Sequence, residues 1–152
     1  MEIKVKKSTI NRKHILGIDY GRKFTGFANY RVNIDPFILT FGRVEYINDE
    51  QLVSYIQNLI TEEFFDIIIL GIPRFTDGKE STMTKTILSF GELLKKEIDI
   101  PVYYIDETLT TFEAEERMKN DPRYNFQVDL KMIDAVSATI ILEQFVNLAT
   151  DD

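Results

Sequence analysis

Cysteine is absent and histidine occurs once, at position 14, in a chain of 152 residues. The first absence removes disulfide staples, thiolate zinc sites and thiol nucleophiles, and it suits a reducing cytosol. The second removes multi-histidine metal sites and leaves any Ser–His relay dependent on His14 alone. No run approaches the roughly 18 consecutive apolar residues of a membrane helix. The basic N-terminus lacks the apolar stretch of a secretory signal, which points to a cytoplasmic protein with no membrane partner. What is present is an apolar share of 44%, enough to form a core and to exclude wholesale disorder. The length suits one domain, at roughly 100–200 residues each.

Net charge is −7, which argues against a non-specific nucleic-acid coat. The average conceals an asymmetry. Residues 1–31 carry eight basic side chains (Lys4, Lys6, Lys7, Arg12, Lys13, Arg22, Lys23, Arg31) against Glu2 and Asp19. One basic edge can meet a phosphate backbone while acids elsewhere hold metal. A solvated tail on an ordinary acidic surface explains the same numbers.

Residues 1–13 lack periodicity and read as a loose basic tail ahead of a single domain over 14–152. Residues 14–20 (HILGIDY) form an apolar run that ends in an acid and then Gly21, the pattern of a buried strand. Residues 24–32 and 37–47 are aromatic and β-branched, with Asp35-Pro36 between them, and predict two further strands of a meander. Asp49 is placed to cap a helix over 50–63. Residues 66–72 (DIIILGI) read as a strand buried on both faces and stopped at Pro73. Residues 74–80 form a polar loop, followed by a helix over 81–97. Residues 101–105 give a short strand ending in Asp106-Glu107. Thr110 or Thr111 can cap a helix reaching Lys119. A loop over 121–128 leads to a last helix over 129–149. The order β-β-β-α-β-α-β-α-α implies an α/β fold: a five-stranded mixed sheet, with a three-strand antiparallel meander plus two parallel strands and helices on both faces.

Three acids stand where acids are costly. Asp19 ends an apolar strand. Glu107 follows another. Asp134 lies in KMIDAVSATIILEQF, a helix apolar on most of its surface, on a face with Leu130, Ala138 and Ile141. An ionised carboxylate in low dielectric is unfavourable unless paired or metal-bound, and strand ends in open α/β sheets are where ligands bind. Brought within a few ångströms, three carboxylates with no softer ligand suit Mg²⁺ or Mn²⁺. Two such ions about 3.5–4 Å apart serve phosphodiester cleavage. Each acid also has an ordinary role open to it: Asp19 in an Asx-turn at Gly21, Glu107 capping a helix, Asp134 paired with Lys131 or facing water.

Four segments, in order over about residues 14–149, resemble the YqgF/RuvX family. ILGIDYGRKFTGFA resembles its opening strand and hairpin, through Asp19, Tyr20, Gly21 and Gly26. IIILGIPRFTDGKES is similar to its Gly-Leu-Pro…Asp-Gly motif. VYYIDETLTTFEAEERM is similar to its Asp-Glu-Arg-Leu-Thr-Thr motif, and KMIDAVSATIILEQFV to its Asp-x-x-Ala-Ala-x-Ile-Leu helix. The resemblance implies an RNase H-like fold and a metal-dependent nuclease that processes the 5′ end of pre-16S ribosomal RNA, or, on an older reading, a Holliday junction resolvase. It implies Asp19, Glu107 and Asp134 as catalytic and metal-binding acids, Mg²⁺ or Mn²⁺ as cofactor, and Thr110 and Thr111 as the Thr pair. Thr108 stands where the family has Arg, and Arg74, Lys79 or Lys131 are candidates to replace it at substrate phosphate.

Arg22 and Lys23 fall on the hairpin turn beside the expected site and are further candidates for phosphate. His14, Tyr103 and Tyr104 read as packing. Tyr124 and Phe126 read as packing under their loop, with base stacking the alternative. The partners implied are nucleic acid (pre-rRNA or branched DNA) and ribosomal particles, with the chain a monomer or a homodimer. A non-catalytic nucleic-acid or ribosome-binding module stays open, since fold does not fix function.

Overall fold

The computed structural model describes residues 4–73, 82–107 and 110–152. Arg74, Lys79, Thr108 and the 74–80 loop lie outside the described residues. Five strands form one sheet: β1 (His14–Asp19), β2 (Phe24–Arg31), β3 (Leu39–Glu45), β4 (Ile67–Pro73) and β5 (Val102–Glu107). Their order is β3-β2-β1-β4-β5. The β1–β2 and β2–β3 pairs are antiparallel, while β1–β4 and β4–β5 are parallel. This is the mixed sheet that the run pattern predicts.

Alternation along the strands divides two cores. On one face Leu16, Ile18, Leu70 and Ile72 pack against helices α2 (Asp49–Glu63) and α3 (Thr82–Glu97), through Leu52, Ile56, Ile87 and Phe90. On the other, Ile15, Ala28, Ile69 and Ile105 receive α5 (Ile133–Leu148), through Ala138, Ile141, Leu142 and Phe145. Helix α4 (Thr110–Lys119) packs on the outside of α5, with Ala114 and Met118 against Val136 and Ile140. Tyr124 joins that cluster, whereas Phe126 is 61% exposed, so only the first of the two loop aromatics packs.

Three local expectations need correction. The segment expected as a loose tail is folded from residue 4: Val5 and Ile10 are buried under α5, a short helix α1 runs Lys7–Ile10, and the Val5 and Lys7 backbones exchange hydrogen bonds with Thr150. Two apolar side chains suffice to anchor it among the lysines. The cap of α2 is Asn48, whose side chain accepts from the Gln51 N–H at 2.8 Å. Asp49 is drawn off by two tyrosines instead. Helix α5 begins at Ile133, because Asp129 turns the chain by accepting from the Lys131 N–H at 2.9 Å, which leaves Leu130 75% exposed rather than on the Asp134 face.

Candidate active site

Asp19 closes β1 on the face that carries α5. Its neighbour Tyr20 points to the opposite core, where its ring packs on Phe90 and its hydroxyl donates to Asp49 Oδ1 at 2.7 Å. Tyr46 donates to the same oxygen, also at 2.7 Å. The strand end bearing Asp19 is therefore fixed from behind.

Two glycines clear the space beside it. Gly26 is paired with Asp19 across β1–β2. A Cβ on Gly26 would lie 2.2 Å from the backbone C and O of Asp134, so the first turn of α5 rests on the strand next to Asp19. On the other flank Leu70 pairs with Ile18, which places Gly71 beside Asp19. A Cβ on Gly71 would lie 3.0 Å from Glu107 Cγ, so the Glu107 side chain lies over that glycine from the end of β5. Asp19, Glu107 and Asp134 thus share one end and one face of the sheet.

The electrostatics follow from that placement. Burial, then the like charges of Glu107 and Asp134, hold the Asp19 carboxyl well above the usual carboxylate range. Burial also raises Glu107, against hydrogen bonds from Thr110; the Thr110 hydroxyl donates to Glu107 Oε2 at 2.5 Å. Burial raises Asp134, opposed by the Arg43 guanidinium, whose Nη1 stands 3.8 Å from Asp134 Oδ2. Among the described residues, no three Asp, Glu or His side chains are close enough to hold a metal ion as they stand. Convergence to within a few ångströms is not what these rotamers give: Asp134 is turned toward Arg43 and Glu107 toward Thr110. The three remain an oxygen-only donor set of the kind hard divalent cations take.

The remaining expected residues separate. Arg22, Lys23 and Lys131 line a groove of about 510 Å³ that also includes Asp134 and Arg43. Thr110 is buried and occupied with Glu107 rather than capping α4, while Thr111 is exposed. His14 is structural. Its ring stacks on Phe65 at 4.1 Å and its nitrogens lie 3.0 Å from the Glu63 carbonyl oxygen and 3.1 Å from the Asn29 side-chain amide. Tyr103 and Tyr104 also pack, on Phe145 and beneath Lys95 respectively. A larger groove, about 630 Å³, runs between β3 and the α4–α5 pair. It holds none of the three acids, and its charges are neutralised internally: Arg117 by Glu143 and Glu113, Arg123 by Asp121.

Arg43 was not legible from sequence. It sits opposite Gly26 in the β2–β3 ladder, and only that register brings it to Asp134. The one signal was a lone arginine inside an aromatic strand.

The family model described as "RuvX: Holliday junction resolvase" matches residues 13–148. The chain belongs to the RuvX family. Curated relatives in this family include a protein of Lactobacillus johnsonii named "Putative pre-16S rRNA nuclease", 31% identical over 91% of this chain and 98% of its own length. One of Mesomycoplasma hyopneumoniae with the same name is 34% identical over 88% and 93%. Among solved structures, Thermus thermophilus RuvC in complex with a Holliday junction substrate superposes with a TM-score of 0.60 at 13% identity, over 92% of this chain and 98% of that one. The fowlpox virus resolvase in complex with Holliday junction DNA superposes with a TM-score of 0.52 at 13% identity, over 88% and 97%. At such identity these two establish the fold alone, which is the RNase H-like one that the motifs imply. The matched residues of the RuvX model span all three acids and the basic groove.

Proposed function

We propose that this chain is a divalent-cation-dependent endonuclease that trims the 5′ end of precursor 16S ribosomal RNA, with Asp19, Glu107 and Asp134 as its catalytic acids. The observation that carries this reading is the placement of Asp19 at a strand end, half-buried, with Asp134 and Glu107 on the glycines that flank it and a basic groove alongside. Such crowding is unfavourable for folding unless a cation offsets it. Asp19, Glu107 and Asp134 would hold Mg²⁺ or Mn²⁺, which supplies charge neutralisation and Lewis acidity at the phosphodiester.

The chain's own residues do the rest. Thr110 fixes the orientation of Glu107 through its hydroxyl. Gly26 sets the height of Asp134 above the sheet. Arg22, Lys23 and Lys131 bind backbone phosphates along the groove; Arg74 and Lys79, from the loop outside the described residues, are assigned the same role, as is the exposed Thr111.

The test is cleavage of a precursor RNA carrying a 5′ extension, with Mn²⁺ or with chelator, by the natural chain and by Asp19→Asn. Cation-dependent shortening by the natural chain alone supports the reading. Cleavage by Asp19→Asn, or in chelator, overturns it. A four-way DNA junction is the competing substrate, because the family description names it. Its resolution needs two symmetric cuts and hence a C2 dimer. Junction cleavage by a dimer in preference to RNA would transfer the assignment. Ribosomal particles are the natural setting for the RNA reading, and co-sedimentation with small subunits tests that partner. No described helix is long and apolar enough to cross a membrane, and we place the protein in the cytoplasm.

A further inference from the structure

Arg43 is held without being consumed. Its guanidinium lies over the Phe24 ring at 3.6 Å, and Nη1 donates to the Leu130 carbonyl oxygen at 3.3 Å. An arginine stacked on an aromatic face keeps its in-plane N–H donors available. Asp134, at 3.8 Å, is beyond hydrogen-bond distance, so the pair is electrostatic; both side chains keep about a quarter of their surface in solvent, and a pair of this kind exchanges partners at little cost. The guanidinium faces a groove in which Arg22, Lys23 and Lys131 add positive charge and Asp134 is the one acid among the described residues.

We propose that Arg43 and a divalent cation compete for the Asp134 carboxylate, and that the Arg43 fork, once displaced, grips a phosphodiester of nucleic acid lying in the groove beside Lys23 and Lys131. The inference rests on the nuclease reading and deepens it. Cation binding and nucleic-acid binding become coupled through one side chain: the cation frees the guanidinium for phosphate, and phosphate at the guanidinium frees Asp134 for the cation. Linkage requires the two effects to be equal. Phe24 serves as the platform that keeps the guanidinium in the groove during the exchange, and Gly26 is what brings Asp134 down to its level.

The experiment compares the natural chain with Arg43→Met and Arg43→Lys in two measurements that need no turnover. Mn²⁺ binding without nucleic acid is read from the electron paramagnetic resonance signal of free Mn²⁺. Binding of a fluorescein-labelled single-stranded RNA is read by anisotropy in Ca²⁺ across a salt series. Arg43→Met is expected to bind Mn²⁺ about two- to fivefold more tightly. It should bind RNA about five- to tenfold more weakly, with a salt slope lower by about one. Arg43→Lys, which keeps charge but loses the fork and the stacking plane, should match the natural chain for Mn²⁺ and lie between the other two for RNA.

Opposite signs are the signature, because a damaged fold weakens both. Parallel weakening, or no change in either, overturns the inference. If the natural chain binds Mn²⁺ no better than Asp19→Asn and cuts neither RNA nor junction, the nuclease reading fails and takes this inference with it. If the natural chain binds and cuts while Arg43→Met is indistinguishable from it, this inference fails alone.

Discussion

At the start of β1, His14 has every polar group answered. Its N–H donates to Asp66 Oδ2 at 2.9 Å, its ring nitrogens face Glu63 and Asn29, and its ring stacks on Phe65. At the other end of the same strand, Asp19 has like-charged neighbours and a carboxyl held well above its usual range. The sheet and the strand are shared, while His14 is buried and Asp19 is half-buried, so the difference lies in the company each group keeps. One end is arranged for stability. The other holds a local conflict that, on the proposed reading, a bound cation would relieve.

The contrast is broken most forcibly by Asp19→Asn. Cation-dependent cleavage should fall by about 10³-fold or more, read from initial rates on labelled RNA, with the circular dichroism spectrum unchanged. Gly26→Ala should come next. A methyl group 2.2 Å from the Asp134 backbone cannot be absorbed by a side-chain rotation, so α5 must lift. Cleavage should drop by about 10²-fold and stability by about 1–3 kcal/mol, measured by urea unfolding. Gly71→Ala meets side chains rather than backbone, Ile141 Cδ1 at 2.5 Å and Glu107 Cγ at 3.0 Å, and should cost about 1 kcal/mol, the low end for overpacking. His14→Ala should reverse the pattern: a loss of about 2–4 kcal/mol with the cleavage rate per folded molecule retained.

The smallest effect carries a sign. Because the folded-state pKa of Asp19 is raised, its contribution to stability is fully present only below the ordinary value of 3.8 and is lost as pH rises through the raised one. Asp19→Asn should therefore melt above the natural chain at pH 7 in the absence of divalent cations. The gap should close as pH falls. A variant that melts lower at pH 7 would mean that Asp19 is stabilising, contrary to the comparison.

Much of this architecture was readable in advance. The unbroken IIIL run of β4, short and stopped at Pro73, reads as a strand covered on both faces, and the three meander strands announce themselves by aromatic and β-branched residues. Asp19 and Glu107 stood out because acids at the ends of such runs are anomalous. What escaped was everything set by register. Arg43 reaches Asp134 because Gly26 lies opposite it, a relation that no local window contains. Asn48 outcompetes Asp49 as the cap of α2 because Tyr20 and Tyr46, one of them 29 residues away, claim the aspartate. Val5 and Ile10 were two isolated apolar residues in a basic stretch, and only their contact with α5 gives them weight.

Helix α5 both covers the sheet face formed by Ile15, Ile69 and Ile105 and delivers Asp134. Chains are made from the N-terminus, so Asp19 and Glu107 are synthesised well before the helix that completes their trio. An unfinished polypeptide has two of these acids but not the third, and the apolar face of its sheet stays uncovered until α5 is made. On the proposed assignment, closing that apolar face and completing the acid trio are one event in the life of the chain.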